Sequence, residues 1–195
     1  AQSKVGDSSI YFDGTGDYLS VASSSDFGFG TGDFTIELWF RRAAADTYPY
    51  LFDCRTGGTD GDYPAVYLDS SDSYKPIYYV DGAAKITSDT TTTTDTWYHF
   101  AIVRSSSTTT MYLDGSSVGT WSDSTTYATC PLRIGNYSNG SFELTGYMDE
   151  IRISDTARYT TTFTPSTTEF TADANTLLLI HSNWDGGLGA DSSGN

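Results

Sequence analysis

Short alternating runs of apolar and polar residues, punctuated by Asp-Gly and similar turn dipeptides, cover most of the chain. The clearest is Phe34-Thr35-Ile36-Glu37-Leu38-Trp39-Phe40-Arg41. As a strand it points Phe34, Ile36, Leu38 and Phe40 at a core and presents Glu37, Trp39 and Arg41 outward. Trp97-Tyr98-His99-Phe100-Ala101-Ile102-Val103-Arg104 is apolar on both faces, as a central strand packed from two sides would be. Tyr147-Met148-Asp149-Glu150-Ile151-Arg152-Ile153-Ser154 alternates as well, with Tyr147, Asp149, Ile151 and Ile153 on the expected core face. Met148, Glu150, Arg152 and Ser154 fall on the other. A carboxylate among core residues demands a cation, backbone N–H donors or a raised pKa, so Asp149 needs a partner.

Three segments read as strand, Asp-Gly turn, return strand: residues 9–21, 78–86 and 111–118, turning at Asp13-Gly14, Asp81-Gly82 and Asp114-Gly115. Further short strands are predicted at Tyr50 to Asp53, Ala65 to Asp69, Leu132 to Gly135, Phe142 to Gly146 and Leu177 to His181. Helical periodicity is confined to one expected turn at residues 154–159, capped by Ser154 or Asp155. About a dozen short strands at regular turn spacing predict an all-β protein, an antiparallel two-sheet sandwich or jelly roll. The Thr/Ser tracts at 90–94 and 105–110 sit between strong strand signals and are read as loops and edges within one domain spanning 1–195.

Composition narrows the function. Fifteen Tyr and ten Phe in 195 residues give more ring area than a disordered chain carries. Twenty-five acids against ten bases, net −15, exclude the Lys and Arg stripes that nucleic acid needs and disfavour an anionic membrane surface. No apolar run reaches the ~20 residues of a membrane span, so no membrane insertion is expected. The opening Ala1-Gln2-Ser3-Lys4 has neither a leader pattern nor an initiating Met, as in a processed product or an excised unit. Cys54 and Cys130 lack metal-type spacing and are expected as two buried small hydrophobes rather than a disulfide.

Metal candidates are Asp13 and Asp17 around the first Asp-Gly turn, Asp149, and the Asp53, Asp60 and Asp62 loop, because calcium is bound by oxygen-rich Asp/Gly loops. Solvated turns are the competing reading. Hydrolysis is not supported. Asp149 and Glu150 are adjacent and point to opposite faces, so they cannot work as an acid/base pair. His99 and His181, the only histidines, lie in apolar strands as core residues would. Ligand binding has better candidates. Trp39 faces outward by alternation, and Tyr48, Tyr63, Tyr67, Trp121 and Tyr137 lie in or beside loops with Tyr50 and Tyr127. Such rings, flanked by Asp and Asn, suit the apolar faces of sugars.

The succession 11–19, Gly32 to Trp39, Trp97 to Ala101, Tyr112 to Gly115, Leu132 to Asn136 and Gly146 to Ile153 resembles a laminin-G-like domain of the concanavalin A-like lectin/glucanase superfamily. The resemblance implies a jelly-roll sandwich and a structural calcium ion, with Asp13, Asp17 and Asp149 carried over by position as its ligands. It also implies a non-catalytic glycan-binding or adhesion module in an extracellular, cell-surface or virion setting, with glycans as partners. The Glu-x-Asp-x-Glu strand of the glucanase members is missing. Thr156 to Pro165 and the end of the chain resemble modules of phage and marine bacterial surface proteins. There 176–195 would be a closing strand followed by a tail or the start of a tandem linker. The alternative is a structural protein of a virion or surface appendage that binds no small ligand and meets a homo-oligomeric or tandem neighbour.

Overall fold

All the expected strands but the one read from Phe142 to Gly146, which is bend and coil as far as Leu144, form two antiparallel sheets in the computed structural model, which describes residues 2–183 and 189–194. The first sheet runs β1 (Ile10–Asp13), β12 (Thr145–Ser154), β3 (Phe34–Arg42), β8 (Tyr98–Ser105), β9 (Thr108–Leu113), β10 (Ser116–Ser122). Strand β13 (Thr176–Ile180) pairs with the far half of β12, on the edge whose near half β1 occupies. The second sheet runs β2 (Leu19–Ser24), β11 (Cys130–Ile134), β4 (Tyr50–Asp53), β5 (Ala65–Asp69), β6 (Lys75–Val80), β7 (Ala83–Thr87). Between them lies one apolar layer that includes Phe34, Ile36, Leu38 and Phe40 from β3, Phe100 and Ile102 from β8, and Leu51, Phe52, Val66 and Tyr78 from the second sheet. The architecture is a concanavalin A-like jelly-roll sandwich.

Two of the three Asp-Gly hairpins form as read. Asp81-Gly82 and Asp114-Gly115 join β6 to β7 and β9 to β10, and both residues of each pair have positive φ, as a type I′ turn requires. The first does not. Strands β1 and β2 belong to different sheets, so the Asp13–Asp17 loop crosses between layers instead of closing a hairpin. The helical turn expected at 154–159 is absent as well: β12 runs through Ser154 and the chain continues as bend and coil. Among the described residues, helix is confined to a 3-10 turn at Ser25–Phe27, capped by Ser24. The part of the closing tail at 184–188 and 195 lies outside the described residues.

The outer face of the first sheet departs most from simple alternation. Glu37 and Trp39 do point away from the core, but both are buried. A strap from residue 157 to 170 lies over Glu37, with Tyr159 and Phe163 packed on Ala101, Val103 and Tyr112, while Lys4 of the N-terminal segment lies over Trp39. Strand β12 also changes phase. A bulge between Asp149 and Arg152, with Glu150 at φ +49°, puts Met148, Ile151 and Ile153 in the core. Asp149 is therefore on the outer face beneath the N-terminal segment, not on the core face. Glu150 is buried too, holding the Phe170 amide and lying 2.9 Å from His181 Nδ1.

Candidate functional site

The strongest site grows from another bulge, in β4 within the second sheet. Leu51 and Phe52 both enter the core, and the register slips between Tyr50 and Phe52. Tyr50 and Asp53 consequently share the outer face. Tyr50 sits directly across from Tyr67 of β5, and Tyr79 of β6 pairs with Ala65, one rung diagonal to Tyr67. Three adjacent strands thus contribute a tyrosine each to one surface. Ring centroids are 5.2 Å apart for Tyr50 and Tyr67 and 6.3 Å for Tyr67 and Tyr79. The loops add Tyr48, Tyr137 and Phe142, with Tyr137 5.1 Å from Tyr50 and Phe142 40% exposed. Together they line a cleft of about 480 Å³ with Arg55, Asp60 and Asn139.

Arg55 is the pivot of this cleft. Its Nε and Nη2 donate to the two oxygens of buried Asp53 at 2.9 and 3.2 Å, Nη2 also donates to the Tyr50 hydroxyl, and Nη1 donates to Asp60. The guanidinium lies 4.8 Å from the Tyr137 ring centroid and 4.9 Å from that of Tyr79. Burial disfavours its charge, but the bonds to Asp53 prevail and hold its pKa above the usual value. Burial pushes the Tyr50 phenol up to about 12 against the pull of Arg55, and burial raises Tyr67 and Tyr79 as well. All three phenols are neutral at physiological pH, able both to donate and to accept. The loop walls are stitched by Gly58, whose N–H donates to Ser138 Oγ and whose carbonyl accepts from the Tyr137 hydroxyl. A Cβ on Gly58 would stand 2.2 Å from that hydroxyl, so only glycine allows this approach.

Of the sequence-derived ligand candidates, Tyr48, Tyr67 and Tyr137 come together here. Trp39 does not. It is 4% exposed, capped by the Lys4 ammonium 4.2 Å from its ring and edge-on to His99, because the N-terminal segment covers its face. Tyr63 and Trp121 pack against the main core outside the cleft, with Lys85 over the Trp121 ring. Tyr127 is buried against Tyr78 and Asp123. Arg55, Tyr79, Asn139 and Phe142 are additions that alternation did not single out. The pattern Asp53-x-Arg55 with Asp60 close behind is a usable signal, an arginine bracketed by acids, although acid-rich Asp/Gly loops equally suggest a metal.

The proposed calcium ligands do not converge. Asp149 Oδ2 accepts from the backbone amides of Lys4 and Val5 at 3.0 and 2.9 Å. Asp13 is across from Thr145, four residues along β12 from Asp149, a separation of about 14 Å at strand rise. Asp13, Asp17 and Glu143 instead accept from the amides of Thr15, Asp13 and Gly16, which is turn chemistry. Among the described residues no three His, Cys, Asp or Glu side chains group so as to hold a metal ion. The set does not fit one shared ion.

Residues 13–162 match the Laminin_G_3 family model, described as concanavalin A-like lectin/glucanases superfamily, and the chain belongs to that family. Comparison with curated protein sequences finds no match. Among solved structures, a candidate carbohydrate binding protein from Bacteroides ovatus is similar over 91% of this chain with a TM-score of 0.71 and 16% identity. The chain spans 53% of that protein's length. Domains LG4-5 of the mouse laminin alpha1 chain align over 81% of this chain and 46% of their own, at 18% identity and a TM-score of 0.56. The CBM40 of a Ruminococcus gnavus IT-sialidase, bound to alpha2,3 sialyllactose, aligns over 81% of this chain and 95% of its own, at 9% identity and 0.60. At these identities the likeness is one of fold.

Proposed function

We propose that the chain is a non-catalytic glycan-binding module that works outside the cell and takes its ligand in the tyrosine cleft over β4, β5 and β6. The observation that carries this is the cleft itself: five tyrosines and a phenylalanine on one concave surface, with one carboxylate and one amide at its rim. Rings of this kind stack on the C–H faces of sugars while phenols, Asp60 and Asn139 bond the hydroxyls. Carbohydrate-binding proteins among the structural relatives support the reading. Its one accessible carboxylate, Asp60, has no acidic partner among the cleft-lining residues for glycoside hydrolysis. Calcium stabilisation, which the family resemblance implied, finds no converging ligand set among the described residues.

Titration calorimetry against a panel of oligosaccharides, in calcium and in chelator, tests the reading. Binding in both buffers is expected. Tyr67→Ala should weaken it about tenfold or more, and Tyr11→Ala, exposed on the other sheet, should leave it unchanged. No binding to any glycan, or binding indifferent to Tyr67, would contradict the assignment. Self-association abolished by Tyr67→Ala without glycan binding would favour an assembly surface of a virion or appendage instead.

A further inference from the structure

The cleft contains an arginine, the usual anchor for a sugar carboxylate or sulfate, but its charge and donors are already engaged. Of the five guanidinium N–H groups, Nε–H, both on Nη2 and one on Nη1 are used by Asp53, Tyr50 and Asp60, leaving one on Nη1. One guanidinium against the two carboxylates of Asp53 and Asp60 leaves the cluster with one net negative charge. The cleft lining has no second cation, and the whole chain carries −15. What faces a ligand is the Asp60 carboxylate, whose side chain is 51% exposed, the neutral phenols and the Asn139 amide nitrogen, its oxygen being held by Ser141. Carboxylates bond hydroxyl groups well and repel anions.

Resting on the glycan reading above, we infer that this cleft selects neutral saccharides and rejects those bearing carboxylate or sulfate groups, with Asp60 as the hydroxyl acceptor and Arg55 as the residue that positions it. Arg55 holds Asp60 from one side and the rings of Tyr50, Tyr79 and Tyr137 from the other, so its task is internal. A ligand recognised this way owes little to long-range charge, and its affinity is insensitive to salt.

The full chain is titrated with xylohexaose, cellohexaose, chitohexaose and lactose, and in parallel with hexagalacturonate, heparin and sialyllactose, at low and at high salt. The expected result is binding confined to neutral members, at least about tenfold tighter than any anionic one and unchanged by salt. Asp60→Asn, exposed enough to fold normally, should weaken the neutral ligand about tenfold and narrow the discrimination against anions. Tighter binding of an anionic member, falling with salt, overturns the inference and leaves the glycan reading standing. Binding of no member overturns both. Neutral binding undisturbed by Asp60→Asn overturns the role of the carboxylate.

Discussion

Asp149 is fully buried beneath the N-terminal segment, with one carboxylate oxygen held by backbone N–H groups. Its need for a partner follows from the sequence, and the partner is a pair of backbone amides from Lys4 and Val5. Burial raises its pKa to about 6, with those two bonds pulling the other way. Between the ordinary 3.8 and about 6 the folded chain keeps a proton that the unfolded chain releases. This group alone therefore makes stability fall as pH rises across that window. Asp149→Asn keeps an acceptor and removes the charge, so denaturant unfolding should show equal or greater stability at neutral pH and a flatter pH profile. Asp149→Ala leaves two buried amides unpaired and should cost about 1–3 kcal/mol, equally in calcium and in chelator. A loss seen in calcium alone would restore the metal.

At the scale of elements, most strands were legible because period-two alternation and Asp-Gly turns are local signals. The strands predicted at Tyr50 to Asp53 and Ala65 to Asp69 form with those ends. What alternation cannot register is a bulge, which shifts phase with no change of residue type. The two bulges, at Leu51 and at Glu150, decide which acids and rings share a face, and so they hid both the cleft and the true position of Asp149. Nor does a strand's own pattern show what will cover it. Glu37 reads as outward and polar, but beneath the strap it takes Arg152 at 2.8 and 2.6 Å and the Tyr159 hydroxyl at 2.8 Å, with His99 Nε2 3.2 Å away. Burial works against its charge, yet these neighbours hold its pKa below the usual range. Its contribution is present above the ordinary carboxylate value and lost on acidification, opposite in sign to Asp149. Glu37→Ala strands Arg152 without its partner and should cost about 3–5 kcal/mol in chemical denaturation, with glycan affinity of the folded fraction unchanged. A near-neutral substitution would show that the strap, not the ionic cluster, holds this face.

Over the whole molecule, the sandwich divides its labour between its two outer faces. The first sheet is roofed by the N-terminal segment and the strap, and the second carries the tyrosine cleft. Fold class was readable from the spacing of strands. The cleft was only half readable, since Tyr48, Tyr67 and Tyr137 are visible as loop or edge rings but their convergence on Arg55 depends on sheet order, a long-range property. The cysteines follow the sequence reading. Both are free thiols, 1% and 0% exposed, and the contact with Cys130 together with burial raises the Cys54 thiol. Thiol titration of the native chain should find neither reactive, and both should react once it is unfolded. Rapid labelling of native protein would show that this part of the sandwich opens.

The proposed function requires sugars to bind over the tyrosines of the second sheet. A crystal structure of the chain with the tightest-binding neutral oligosaccharide tests that most directly. The expected result is a sugar ring stacked on Tyr67 or Tyr137 with a hydroxyl within bonding distance of Asp60. A sugar held at the Asp13–Asp17 loop, or anywhere other than this cleft, would contradict it.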